Sequence, residues 1–68
     1  MNFSLRQLRG FLAVAEHASF TKAAAQLHLT QAGLSAMVRE FEQSIGSRLF
    51  ERSTRAVLLT DAGRTLLP

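Results

Sequence analysis

The chain has 68 residues, enough for one small domain. It contains no cysteine, which excludes disulfides, thiolate metal sites and a thiol nucleophile, and fits a reducing compartment such as the cytoplasm. The formal net charge is +3, a balance that suits a polyanion such as nucleic acid or an anionic membrane surface.

Ser4 followed by Gln7 is a capping-box pattern. Leu5, Leu8, Phe11, Leu12 and Ala15 then form an apolar stripe, which predicts a first helix over Leu5 to His17. Arg6, Gln7 and Arg9 interrupt its apolar residues, so the segment does not read as a signal peptide. No apolar run anywhere approaches the ~20 residues of a membrane span. Ser19 is the expected cap of a short second helix with Phe20, Ala23, Ala24 and Leu27 facing inward. After the tight connection "LHLT", Thr30 caps a third helix from Gln31 to Ser44, and Gly46 is placed to end it in the left-handed conformation. The period then changes. "RLFER" and "AVLLT" read as short strands around the turn "STRA". Thr60 caps a fourth helix, Asp61 suits its positive end, and Ala62, Leu66 and Leu67 supply an apolar stripe. The five phenylalanines, Phe3, Phe11, Phe20, Phe41 and Phe50, are assigned to the core.

The third helix has two unlike sides. Leu34, Val38 and Phe41 form a stripe to be buried, whereas Gln31, Ala32, Ser35, Ala36 and Arg39 form a small, polar and weakly charged face. Three helices with a short second-to-third connection, followed by a hairpin, give a mainly α fold in the order of a winged helix-turn-helix. In helix-turn-helix proteins the helix after the turn enters the major groove. A low face suits that position. Gln pairs with adenine N6 and N7, Ser with either kind of base edge, and an Ala methyl meets a thymine methyl. Thr30, at the cap, stands where a hydroxyl and helix N–H groups meet a phosphate.

The segments "SFTKAA" (Ser19–Ala24), "LTQAGLS" (Leu29–Ser35), "IGSRLFERSTR" (Ile45–Arg55) and "LTDAG" (Leu59–Gly63) occur in an order and at spacings that resemble the N-terminal DNA-binding domain of LysR-type transcriptional regulators. The resemblance runs from Leu5 to Leu67. It implies a bacterial, cytoplasmic regulator of transcription that binds double-stranded DNA at operators or promoters. It implies self-association through the helix that begins near Thr60, and a small-molecule effector bound by a C-terminal domain outside these residues. On that basis residues 1–59 are expected to be the winged helix-turn-helix domain and residues 60–68 the start of a truncated linker and dimerisation helix. The resemblance puts Thr21 and Lys22 against the phosphate backbone. Thr30, Gln31 and Ser35 match phosphate- and base-contacting positions. Arg48 and Arg52 match basic positions flanking the wing, and Arg55 matches a wing residue that reaches the minor groove. Two departures stand out: Ala32 replaces a base-contacting proline, and Ala36 stands where the family often has arginine. Arg39, one turn on, is the candidate substitute.

Other readings of the same residues stay open. Gln31 and Ser35 also fit a solvated helix face, Arg39 fits a surface charge or an ion pair beside Glu40, and Arg48 and Arg52 fit a solvated strand. A winged-helix protein–protein interaction module without DNA binding is the alternative function, and an exposed apolar patch on the third helix would favour it. His17 and His28 stand apart with no carboxylate pattern, so no metal or other cofactor is expected. No nucleophile motif or Gly-rich phosphate loop is present, so no enzyme is expected either.

Overall fold

The computed structural model describes residues 4–52 and 57–67, with the backbone alone at Arg52. Its elements in chain order are α1 (Leu5–His17), α2 (Phe20–Leu27), α3 (Gln31–Ile45), β1 (Phe50–Arg52), β2 (Val57–Leu59) and α4 (Asp61–Leu66). This is the mainly α winged helix-turn-helix order, with two antiparallel strands and a fourth helix after them.

Each helix starts where a side-chain oxygen satisfies an orphan backbone donor. Ser4 Oγ accepts from the Gln7 N–H while Gln7 Oε1 accepts from the Ser4 N–H, both at 3.2 Å, completing the capping box. Ser19 accepts from the Lys22 N–H at 3.2 Å, Thr30 from Gly33 at 2.9 Å and Thr60 from Gly63 at 3.1 Å. Gly46 ends α3 at φ 82°. The first two helices end less comfortably, at Ala18 (φ 51°) and His28 (φ 57°), both non-glycine residues in the left-handed region. Such a conformation costs an L-residue about 1–2 kcal/mol. At His28 the turn recovers part of this through the Leu29 N–H, which donates to the Ala24 carbonyl at 2.9 Å in a Schellman-type ending.

The core lies where α1, α2 and α3 meet the start of the sheet. Phe11, Val14, Leu34, Val38, Phe41, Leu49 and Phe50 are fully buried, with Phe20, Ala23 and Ala24 closing the edge. Phe11 is the hub. Its ring centroid lies 5.7 Å from that of Phe41 and 5.4 Å from that of Phe50, and Phe20 meets Phe50 at 5.8 Å, within the range of favourable tilted ring contacts. Phe3 lies outside the described residues. One member of the expected α1 stripe is corrected: Leu5 is 63% exposed. It sits in the first turn, and Val14 and Ala13 complete the buried face in its place.

α3 reaches Ile45 rather than Ser44, β1 leaves out Arg48 and Leu49 of "RLFER", and β2 leaves out Thr60 of "AVLLT"; Ala56 and the expected turn "STRA" lie outside the described residues. The reason is visible at Leu49. Its N–H and that of Phe50 donate to Glu42 Oε2, at 2.8 and 3.3 Å, so the chain is tied to α3 where it enters the ladder. The ladder then pairs Phe50 with Leu59, Glu51 with Leu58 and Arg52 with Val57. Beyond β2, the Thr60 N–H donates to the Leu49 carbonyl at 3.0 Å, and the Thr60 hydroxyl to the Arg48 carbonyl at 2.6 Å. Gly63 closes the same corner: a Cβ there would lie 2.3 Å from the Leu49 carbonyl oxygen.

Candidate nucleic-acid interface

The amino ends of α2 and α3 converge because the turn between them is short and its apolar residues pack inward. Thr21, Lys22, Thr30, Gln31 and Ala32 are exposed on or beside this corner, Ala36 and Arg39 are exposed further along α3, and Ser35 is half-buried. The expected two-sidedness of α3 holds: Leu34, Val38 and Phe41 are buried, and none of the large exposed apolar side chains, Leu5, Leu58 and Leu67, belongs to this helix. Among the described residues α3 therefore presents no apolar patch for a protein partner.

Two side chains of the corner are joined. The Thr21 hydroxyl donates to Gln31 Oε1 at 3.4 Å, linking the second residue of α2 to the first of α3. Thr30 is committed through its Oγ to the Gly33 N–H, and no acidic residue occupies the first turn of α3. That helix end keeps its positive field unneutralised, which favours an anion in front of it.

At the other end of α3, Arg39, Glu42, Gln43, Gly46, Ser47 and Arg48 line an open depression of about 410 Å³. Arg39 and Arg48, remote in sequence, thus share one wall system. Arg39 has no ion pair among the described residues. The ion pair found there joins Arg64 and Asp61, where Arg64 also donates to the Leu59 carbonyl at 3.1 Å. The ion-pair reading of Arg39 with Glu40 accordingly has no contact behind it among the described residues, whereas its exposure fits a solvated surface charge and a DNA-facing cation alike. The Arg52 side chain and the whole of Arg55 lie outside the described residues.

Sequence reasoning missed two residues near this surface. Arg6, from the first turn of α1, lines a second depression of about 350 Å³ together with Gly33, Ala36 and Glu40 of α3. Its position beside the small Ala36 comes from the packing of α1 on α3, which brings Gly10 within close reach of Met37 and Leu34. The other is Glu42, whose carboxylate fixes the backbone entering β1 to α3. A carboxylate midway between an apolar stripe and a solvent face carries no local signal of such a role.

Among the described residues no helix is long and apolar enough to cross a membrane, and no group of three or more His, Cys, Asp or Glu is gathered to hold a metal ion.

Comparison with known proteins places this architecture. The family model described as the bacterial regulatory helix-turn-helix protein, lysR family, matches residues 5–64. The RuBisCO operon transcriptional regulator of Allochromatium vinosum is 56% identical over 64 residues, covering 94% of this chain and 21% of that protein. Oxidised OxyR of Corynebacterium glutamicum superposes with a TM-score of 0.95 at 43% identity, covering all of this chain and 22% of that one. The BenM DBD complex with benA site 1 DNA gives a TM-score of 0.88 at 43% identity, covering 93% of this chain and 71% of that one. The chain thus spans about a fifth of the length of the full-length relative and of OxyR. Its sequence, its element order and its superposition agree on one assignment: the chain belongs to the LysR family of bacterial regulatory helix-turn-helix proteins.

Proposed function

We propose that the chain is the sequence-specific DNA-binding domain of a transcriptional regulator rather than an enzyme. The exposed face of α3 carries this reading. It is low, polar and free of large apolar side chains, it ends in an unneutralised helix amino terminus, and Lys22, Arg39 and Arg48 flank it. Such a face enters a major groove without steric conflict, whereas a protein-docking face would need apolar area. The DNA complex formed by the BenM DBD, similar along nearly this whole chain, supports the same reading.

In this arrangement α3 lies in the major groove. Gln31, Ala32, Ser35 and Ala36 face base edges. Thr21, Lys22 and Thr30, with the backbone N–H groups at the two helix starts, face phosphates. Arg39 and Arg48 approach the backbone from the far end of α3, and Arg6 approaches it beside Ala36. By family resemblance Arg52 flanks the wing and Arg55 enters the adjacent minor groove, where a narrow groove attracts arginine. Residues 1–59 form the DNA-binding unit. The helix after Thr60 begins a linker through which two copies associate, and an effector is bound by a separate domain of the longer protein.

The test is a titration of the chain against a fluorescent duplex pool at several salt concentrations. The logarithm of the affinity should fall linearly with the logarithm of salt, by about 0.9 per phosphate neutralised. Absent or salt-independent binding would refute the reading and favour the protein-interaction module.

A further inference from the structure

Resting on the DNA reading above, we infer that α1 takes part in the interface through Arg6, which meets a phosphate on the rim of the major groove opposite the rim met by the amino end of α2.

Successive residues turn by about 100° around an α-helix. Gln31 and Ala36 therefore stand roughly 140° apart around α3, with Ser35 and Ala32 between them. These four residues are the face assigned above to base edges. Its Gln31 edge adjoins α2, because the Thr21 hydroxyl reaches the Gln31 carboxamide at 3.4 Å and Lys22 follows Thr21. Its Ala36 edge adjoins α1, because Arg6 lines one depression of about 350 Å³ with Gly33, Ala36 and Glu40. Gly33 and Glu40 lie beyond Ala36 on the side away from Gln31. Lys22 and Arg6 thus flank one face of α3 from two different helices. A helix with its side chains is about 10–12 Å across, and the major groove is about 12 Å wide. α3 fills such a groove, so cations on its two flanks are presented to the two strands.

The surroundings of Arg6 suit that task. It is exposed, and among the described residues no ion pair joins it to Glu40, although both line the depression. A guanidinium without a carboxylate partner offers its planar donor fork to a phosphate. Glu40 repels an anion inside the depression, so the contact is made at its mouth by the long arginine side chain. Ala36 ends at Cβ and leaves the way from the depression to the groove open. Arg39 does not fill this place, because it lines a separate depression with Glu42, Gln43 and Arg48.

The experiment takes a duplex enriched from a random pool by the unaltered chain. It is remade with one phosphate at a time, on either strand, replaced by an uncharged methylphosphonate. Affinities for this panel are measured for the unaltered chain, Arg6→Ala, Arg6→Lys and Lys22→Ala. Salt titrations use the unmodified duplex, and thermal melts confirm folding. Arg6→Ala should lower the salt slope by about 0.9 and weaken enriched and random duplexes alike. Arg6→Lys keeps the charge and should keep the slope. One methylphosphonate should weaken the unaltered chain but not Arg6→Ala, another should do the same for Lys22→Ala, and the two should lie on opposite strands. An unchanged slope in Arg6→Ala, a loss confined to one base pair, or two sensitive phosphates on the same strand overturns the inference and leaves the DNA reading in place. If the unaltered chain enriches no duplex, both fall.

Discussion

Replacing Glu42 with alanine tests the joint between α3 and the sheet. Glu42 Oε2 accepts from the Leu49 N–H at 2.8 Å and from the Phe50 N–H at 3.3 Å, and both of those residues are buried. A hydrogen bond to a charged acceptor contributes about 1.5–3 kcal/mol, and a buried donor left without a partner costs a similar amount. The longer of the two bonds contributes less, and Glu42 is itself only half-buried, so water reaches part of the site. Glu42→Ala should therefore destabilise the fold by about 2–4 kcal/mol. For a core of this size, worth about 3–5 kcal/mol, that loss leaves a measurable unfolded fraction at room temperature. Glu42→Gln keeps an acceptor at the same reach and should lose only about 1 kcal/mol. Urea unfolding followed by far-ultraviolet circular dichroism measures both. A Glu42→Ala protein within about 0.5 kcal/mol of the parent, the range of an ordinary surface substitution, would refute the reasoning.

Four other substitutions test the geometry. Gly63→Ala should destabilise by about 1–3 kcal/mol because its Cβ collides with the Leu49 carbonyl, and a denaturation midpoint at or above that of the parent would contradict this. Ala18→Gly should stabilise by about 0.5–1 kcal/mol, since it relieves a left-handed φ of 51° at some cost in chain entropy; a lower melting temperature would count against it. Arg48→Ala should reduce the salt slope of DNA binding by about 0.9, whereas Thr30→Ala should leave the slope in place and cost about 1 kcal/mol of stability through the lost cap. Salt titrations of the two variants decide the slopes, and thermal melts decide the cap.

The helices were legible in the sequence because their determinants are local. Ser4 with Gln7, Ser19 with Lys22, Thr30 with Gly33 and Thr60 with Gly63 are side chain and backbone partners within a single turn, and each is formed. The buried stripe of α3 is periodic and equally local. The strand limits were not legible, because they depend on Glu42 reaching across the end of α3 to Leu49 and Phe50. Leu5 matches the α1 stripe in spacing, yet it is left exposed, a fact of packing rather than of period. At the interface the low face of α3 was readable residue by residue. The pairing of Thr21 with Gln31, and the shared depressions of Arg39 with Arg48 and of Arg6 with Ala36, arise only when separate elements are brought together.

The clamp on α4 has a mechanical consequence. Its first turn is fastened to the strand entry by the Thr60 N–H and hydroxyl, and Gly63 leaves no slack against Leu49. α4 therefore takes its heading from the body that carries α3, as a lever bolted to a plate. The body measures 27 Å along its longest axis. A tilt of about 10° at the bolt would sweep its far side through roughly 5 Å, more than the ~3.4 Å step between successive nucleotides. In a proposed pair of such bodies, a small change of angle between the levers becomes a change in which base steps the two α3 helices can occupy at once. In that proposed pair, a stiff joint at Thr60 would convert bending elsewhere into register on DNA.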